Sequence, residues 1–326
     1  MATETNKGDR SKPVWGDGGE TKKATPAKKA PASSRKGGAA KKASPAKRSK
    51  PAKKASAAAA RRQTGSSARM RRLRQRYVPV HDTDGPRVRL GILWFLLAFL
   101  ALVIGGVPTA FVYGVAAAIA GAQTARAWRK RKLARPSELM AAGGAGLIAV
   151  GACFGAGGAG LGILGCVVVA YVGVQGDSGS PNARIADMGM TLQCALPVGI
   201  VALSMVLLTR LDRGSAVALL LLVSAYETGD FLIGAGAANP YEGPAAGVAS
   251  IVVITFILST LPISTLSFGE AWLFGGLVAV LAPAGEWLGS ALLPSAGSPA
   301  SALRRLDSLL ITAPLWAWGV GLVLQG

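Results

Sequence analysis

The chain has 326 residues, a formal net charge of +20 and an apolar fraction of 51%. The two properties are segregated: residues 1–80 hold 23 of the 36 Lys and Arg and 4 of the 16 acids, and the remainder is nearly neutral. Three cysteines without a CxxC spacing argue against a disulfide framework or a zinc site, and the single histidine, His81, argues against a transition-metal site. A hard cation held by carboxylates stays open.

Residues 1–80 form a Lys/Ala/Pro-rich tail in which PAKKA or a near relative recurs, at Thr25 and Ser44. Large apolar side chains are scarce there, so the tail cannot offset its ordering entropy and is expected to be disordered. Its composition resembles the tails of linker-histone-like proteins. It suits nucleic acid through counterion release, or anionic inner-leaflet headgroups; its tether to apolar spans favours the headgroups. The run ARMRRLRQRYVPV from Ala68 reads either as a short juxtamembrane amphipathic helix or as a stop-transfer charge cluster. No signal peptide is expected, because the first long apolar run begins near Leu90; a long charged tail ahead of it suits an uncleaved anchor.

From residue 87 to 326 the chain reads as one polytopic, all-α membrane domain. A crossing helix takes about 20 apolar residues. The runs that fit are Leu90–Val107, Thr109–Ala127, Glu138–Phe154, Ala156–Val174, Met188–Leu208, Ser215–Tyr226, Ala245–Ile263, Glu270–Trp287 and Ser308–Leu324. That makes about nine transmembrane helices. Cys153, Cys166 and Cys194 all fall in these runs and read as packing residues. The positive-inside rule puts the N-terminus in the cytoplasm of a multi-pass plasma (inner) membrane protein, and RAWRKRKLAR, two crossings on, returns to the same side. By this parity the segments around 176–187, 227–242 and 286–307 are cytoplasmic too. TRLDRG, with Arg210 and Arg213, is the exception.

GAGGAG from Gly155 matches the dinucleotide fingerprint in letters only, since apolar runs of membrane length flank it. Small residues four apart suit close helix packing instead. The stretch from Ala225 to Gly247 holds Glu227, Asp230 and Glu242 between two apolar segments. Acids bordering lipid are costly and normally face water, a cation or a substrate. Thr228-Gly229, Asn239-Pro240 and Gly243-Pro244 are expected to break the helix there and open a cavity. Asp230, alone in its segment, also reads as a helix-end charge. Further on, Glu286 ends one span, and Arg304 and Arg305 precede Asp307. The two guanidiniums suit phosphate, or anchor the span as inside charges with Asp307 as a cap.

ETGDFLIG at Glu227, NPYEGPAAG at Asn239, GEWLGS at Gly285 and LRRLDSLLITAP at Leu303 resemble, in order and spacing, motifs of the bacterial CDP-diacylglycerol synthases (phosphatidate cytidylyltransferases). GGVPTAF at Gly105 extends the likeness, which covers roughly Arg87 to Gln325. The resemblance implies transfer of CMP from CTP to phosphatidic acid, giving CDP-diacylglycerol and pyrophosphate in phospholipid synthesis. It implies Mg2+ as cofactor, held by Glu227, Glu286 and Asp307. It puts Glu227 and Asp307 at the reacting centre, and Arg304, Arg305, Glu242 and Ser308 on the substrates. Ala238, Asn239 and Pro240 stand where the family carries paired lysines, and Leu293, Pro294 and Ser295 where it carries Lys-Arg-Asp. Those losses motivate an alternative, a non-catalytic relative that binds lipid or a partner as a membrane scaffold. A transporter would also use broken helices and buried acids, but the two halves show no internal repeat. Oligomeric state stays open.

Overall fold

The computed structural model describes residues 85–325, apart from 132–134, 176–179, 236, 238, 240 and 262–265, with side chains from Arg89 onward. The basic tail, His81 and the arginine run from Ala68 lie outside the described residues. Among the described residues there are nine α-helices, one 3-10 turn and no strand. The helices are α1 Gly85–Ile104, α2 Gly106–Arg129, α3 Glu138–Ala152, α4 Gly155–Gln175 and α5 Pro181–Leu211. There follow α6 Arg213–Gly234, α7 Glu242–Thr260 and α8 Phe268–Leu292. The 3-10 turn Leu303–Arg305 leads into α9 Leu309–Val323.

The expectation of nine crossings needs correction. Six helices (α2, α4, α5, α6, α7 and α8) are long and apolar enough to cross a membrane. The apolar parts of the other three, Arg89–Ile104, Glu138–Ala152 and Leu309–Val323, are shorter. A 15-residue helix rises only about 22 Å, against a hydrocarbon layer of about 30 Å. Local chemistry sets these ends. Ser137 caps α3 by accepting from the Met140 N–H, and α3 stops at the turn into Gly155, where φ is +81°. α9 starts at Leu309, within a residue of the expected Ser308, because residues 303–308 are spent on the 3-10 turn and a buried corner.

Elsewhere the ends are set by short polar signals. Ser180 caps α5 ahead of Pro181, and Asp212 caps α6 by accepting from Gly214 and Ser215. Asp212 therefore turns the chain within TRLDRG, where Arg210 also donates to the Cys153 carbonyl. Ser267 and Glu270 form a capping box that opens α8.

The packing inverts that of a water-soluble bundle. The interior is built from small side chains, with Ala98, Ala117, Ala120, Ala145, Ala149 and Ala202 fully buried. Large apolar side chains such as Leu93, Phe111, Leu161, Val253 and Leu273 are exposed. Water would not tolerate so much apolar surface, whereas lipid would. The α3–α4 pair is the tightest example. A Cβ on Gly162 would come within 2.8 Å of the Leu147 carbonyl and 2.9 Å of Ile148 Cα, and one on Gly151 within 3.0 Å of Gly162 Cα. Cys166 and Cys194 are buried packing residues, while Cys153 is half-buried at the end of α3.

Side-chain bonds tie helix ends into two groups. At one end, Arg126 pairs with Glu138 at 2.8 Å, the Arg135 N–H donates to Asp187 at 2.6 Å, and Trp128 donates to the Leu292 carbonyl at 2.8 Å. The Ala302 N–H donates there to Gln123 at 3.0 Å. At the other end, Arg210 and Arg213 lie over Gly106 and Gly105. The 227–242 and 286–308 segments thus share the end that carries the Arg126–Arg131 cluster.

Gly162→Val should destabilise the domain by roughly 1–3 kcal/mol through overpacking, measured by unfolding in mixed detergent micelles. Gly146→Val, whose Cβ meets nothing within 4 Å, should leave the midpoint unchanged.

Candidate functional site

Three stretches meet at that shared end, and glycines let them do so. The first is the C-terminal part of α6. Thr228-Gly229 does not break this helix, contrary to expectation. The Thr228 hydroxyl donates back to the Ser224 carbonyl at 2.7 Å, and α6 runs on to Gly234. Gly229 serves close approach instead: a Cβ there would lie 2.5 Å from Ser250 Oγ and 2.8 Å from the Ala246 carbonyl of α7. Gly247 of α7 meets the Tyr226 ring in the same way, at 2.6 Å. Gly243-Pro244 sits in the first turn of α7 and starts that helix, because proline needs no amide partner there. All three acids of this stretch therefore fall within helices, Glu227 and Asp230 in α6 and Glu242 at the start of α7. Glu227 and Asp230 lie one helical turn apart, on one face of α6.

The second stretch is the end of α8, and the third is the corner at residues 303–308. A Cβ on Gly285 would strike the Asp307 carbonyl oxygen, and one on Gly289 would come within 2.5 Å of Asp307 Cβ. The two glycines, one turn apart, form a slot into which the Asp307–Ser308 backbone drops.

A polar seam results. The Ser308 hydroxyl donates to Glu227 Oε1 at 3.0 Å, joining positions 81 residues apart in sequence. The Ser308 N–H donates to Asp307 Oδ1 at 3.0 Å. Arg304 pairs with Asp307 Oδ2 at 3.3 Å, and its guanidinium also donates to Ser290 Oγ at 2.9 Å and to the Ala296 carbonyl at 2.9 Å. The Tyr226 hydroxyl donates to Glu286 Oε2 at 3.4 Å. Asp230, Glu286 and Asp307 are buried, at 3%, 9% and 4% exposure, and Glu227 is half-buried. Glu227 lies within electrostatic reach of Asp307, Asp230 and Arg305. Four carboxylates thus share a weakly solvated corner with two guanidiniums.

Glu227, Glu286, Asp307, Ser308 and Arg304 are gathered here. Arg305 acts on Glu227 electrostatically, and its guanidinium lies over Gly91 of α1, where a Cβ would be 2.8 Å from Nη1. Glu242 stands apart, exposed in the first turn of α7. Tyr226 and Ser290 join the site without having been singled out in the sequence, and Asp230, which also read as a helix-end charge, is buried here rather than at a helix end. Asp230 had a signal, its spacing of three from Glu227, which the supposed helix break concealed.

Carboxylate oxygens are the right donors for Mg2+, but the arrangement does not fit the ion. Among the described residues, no three Asp, Glu, His or Cys side chains gather closely enough to share a metal. Asp307 turns one oxygen to Arg304 and the other to the Ser308 N–H, Glu286 faces Tyr226, and Glu227 faces Ser308.

No family model and no curated protein matches the chain.

Ser308→Ala should cost about 1–3 kcal/mol, because it strips a half-buried carboxylate of its hydroxyl donor. Ser259→Ala, which removes a bond within one helix turn, should be nearly silent in the same unfolding measurement.

Proposed function

We propose that the chain is a phosphatidate cytidylyltransferase-like membrane protein, with its centre at the seam between Glu227 and Ser308. The Ser308–Glu227 bond carries the reading. It joins ETGD to LRRLDS, two of the stretches that resemble the family's motifs, while Gly285 and Gly289 of GEWLGS leave room for the second against α8. In the proposed reaction a phosphate oxygen of phosphatidic acid attacks the α-phosphorus of CTP. The new phosphoanhydride bond forms as the bond to the bridging oxygen breaks, and pyrophosphate leaves. Arg305, with Arg304 behind it, supplies positive charge for the phosphates, and positioning is the main contribution expected of the protein. Glu227 and Asp307 orient these groups. No step is assigned to a metal ion.

A second reading is a relative without catalysis that binds lipid or a partner synthase. Two observations favour it. No acid triad is set up for a metal among the described residues, and Arg304 already spends its guanidinium on Asp307, Ser290 and Ala296.

In this reading the protein lies in the inner membrane with its basic tail and the polar seam in the cytoplasm, as the Lys and Arg distribution favours.

Purified protein in mixed micelles with CTP, phosphatidic acid and Mg2+ should form CDP-diacylglycerol. The double variant Glu227→Gln, Asp307→Asn should lose about a hundredfold of that rate. Full activity in the double variant would remove the site, and no activity in the parent, with failure to rescue a synthase-depleted bacterium, would leave the scaffold reading.

Sidedness has its own test, in a background with the native cysteines replaced. Gly297→Cys and Gly269→Cys both add a side chain into open space at opposite ends of α8. The first should label only from the cytoplasmic face and the second only from the far face. Labelling of both from one face would refute the topology.

A further inference from the structure

A cavity of about 340 Å³ lies along the outer faces of α1 and α2. Its walls are Trp94 and Leu97 of α1 and Phe111, Val115 and Ile119 of α2, and the one charged group on it is Arg305. Leu97, Phe111, Val115 and Ile119 are 47%, 72%, 44% and 47% exposed, so the groove opens sideways, toward where lipid would lie. Trp94 packs edge-on to buried Tyr113 at a centroid distance of 5.6 Å, which stiffens the inner wall. From Phe111 to Ile119 the groove runs about 12 Å along α2, most of one leaflet's hydrocarbon depth of about 15 Å. Arg305 reaches it from the 3-10 turn, at the helix end that carries the Arg126–Arg131 cluster. Gly91 leaves the space that its guanidinium fills.

We infer that this groove holds one acyl chain of an anionic glycerophospholipid whose phosphate meets Arg305. The occupant follows from charge complementarity. An otherwise apolar trough suits an acyl chain, and a planar guanidinium at one end of it suits a phosphate by paired N–H donors. The guanidinium has five such donors, enough to serve partners within the protein and a headgroup together. A lipid so placed enters from the side, and its phosphate lies next to the Glu227–Ser308 seam. The inference deepens the reading above, on which the choice of phosphatidic acid as probe rests.

The test is binding to the purified full chain in neutral detergent without CTP, read by native mass spectrometry. Phosphatidic acid should bind about tenfold tighter than phosphatidylcholine of the same chains. Arg305→Gln should bring the two together. Val115→Trp, which fills the trough at a lipid-facing position, should weaken both, and Ile119→Phe is the alternate should that variant misfold. Glycerol 3-phosphate and inorganic phosphate at millimolar levels should not displace the lipid. Equal binding of the two lipids by the parent protein overturns the headgroup assignment. Displacement by free phosphate, or full lipid affinity in a folded trough variant, overturns the groove. Because CTP is absent, lipid binding without turnover would leave this site standing while the catalytic reading falls, and turnover with no lipid preference would do the reverse.

Discussion

The Asp307–Ser308 backbone lies against α8 only because Gly285 and Gly289 carry no side chains. That contact places a charged corner inside an apolar bundle, and the remaining polar geometry follows from it. Once the corner is seated, Ser308 reaches Glu227, Arg304 reaches Ser290, and Asp307 is shut away from water. Charged groups at such depth are tolerable when they satisfy one another. The seam pairs Arg304 with Asp307 and gives Glu227 and Glu286 hydroxyl donors, and the short α9 is its consequence. The residues that would have extended that helix are used to build the corner.

Small residues do the same work elsewhere in the domain. In lipid there is no hydrophobic gain from hiding large side chains, so helix contacts rest on close van der Waals approach. Gly151 and Gly162 at the α3–α4 crossing, and Gly229 and Gly247 at the α6–α7 crossing, all let backbone meet neighbouring backbone or side chain. Leu and Phe are left to the periphery. One such peripheral face, between α1 and α2, ends on Arg305 and so joins the lipid-facing surface to the polar seam.

The polar corner has features of two kinds of protein. Its acids and guanidiniums gather at one end of the helices and next to an apolar groove, the arrangement on which the proposed phosphate chemistry rests. Yet Arg304 is committed to internal partners, and the acids turn toward serine, tyrosine and arginine donors rather than toward a common centre. The first set of observations speaks for binding phosphate, and the second bears on whether anything is then done to it.

Helix positions were legible from sequence because an apolar run bounded by Ser, Asp or Pro has few other ways to satisfy its backbone. The runs read from Glu138, Ser215 and Glu270 open within two residues of α3, α6 and α8, whereas the run read from Met188 misses the first seven residues of α5, which begins behind Ser180 and Pro181. Whether a run is long enough to cross was less legible: the run read as Ser308–Leu324 matches α9, Leu309–Val323, within a residue, yet that helix is one of the shorter ones. The role of glycine was the least legible. Gly229 and Gly243 read as helix breakers, because sequence alone does not say whether a missing side chain serves a turn or a neighbour. Only the packed fold decides that, and with it which acids meet. Glu227 and Asp230 share a face because α6 continues past Gly229, and Glu242 is left in the open because α7 begins there.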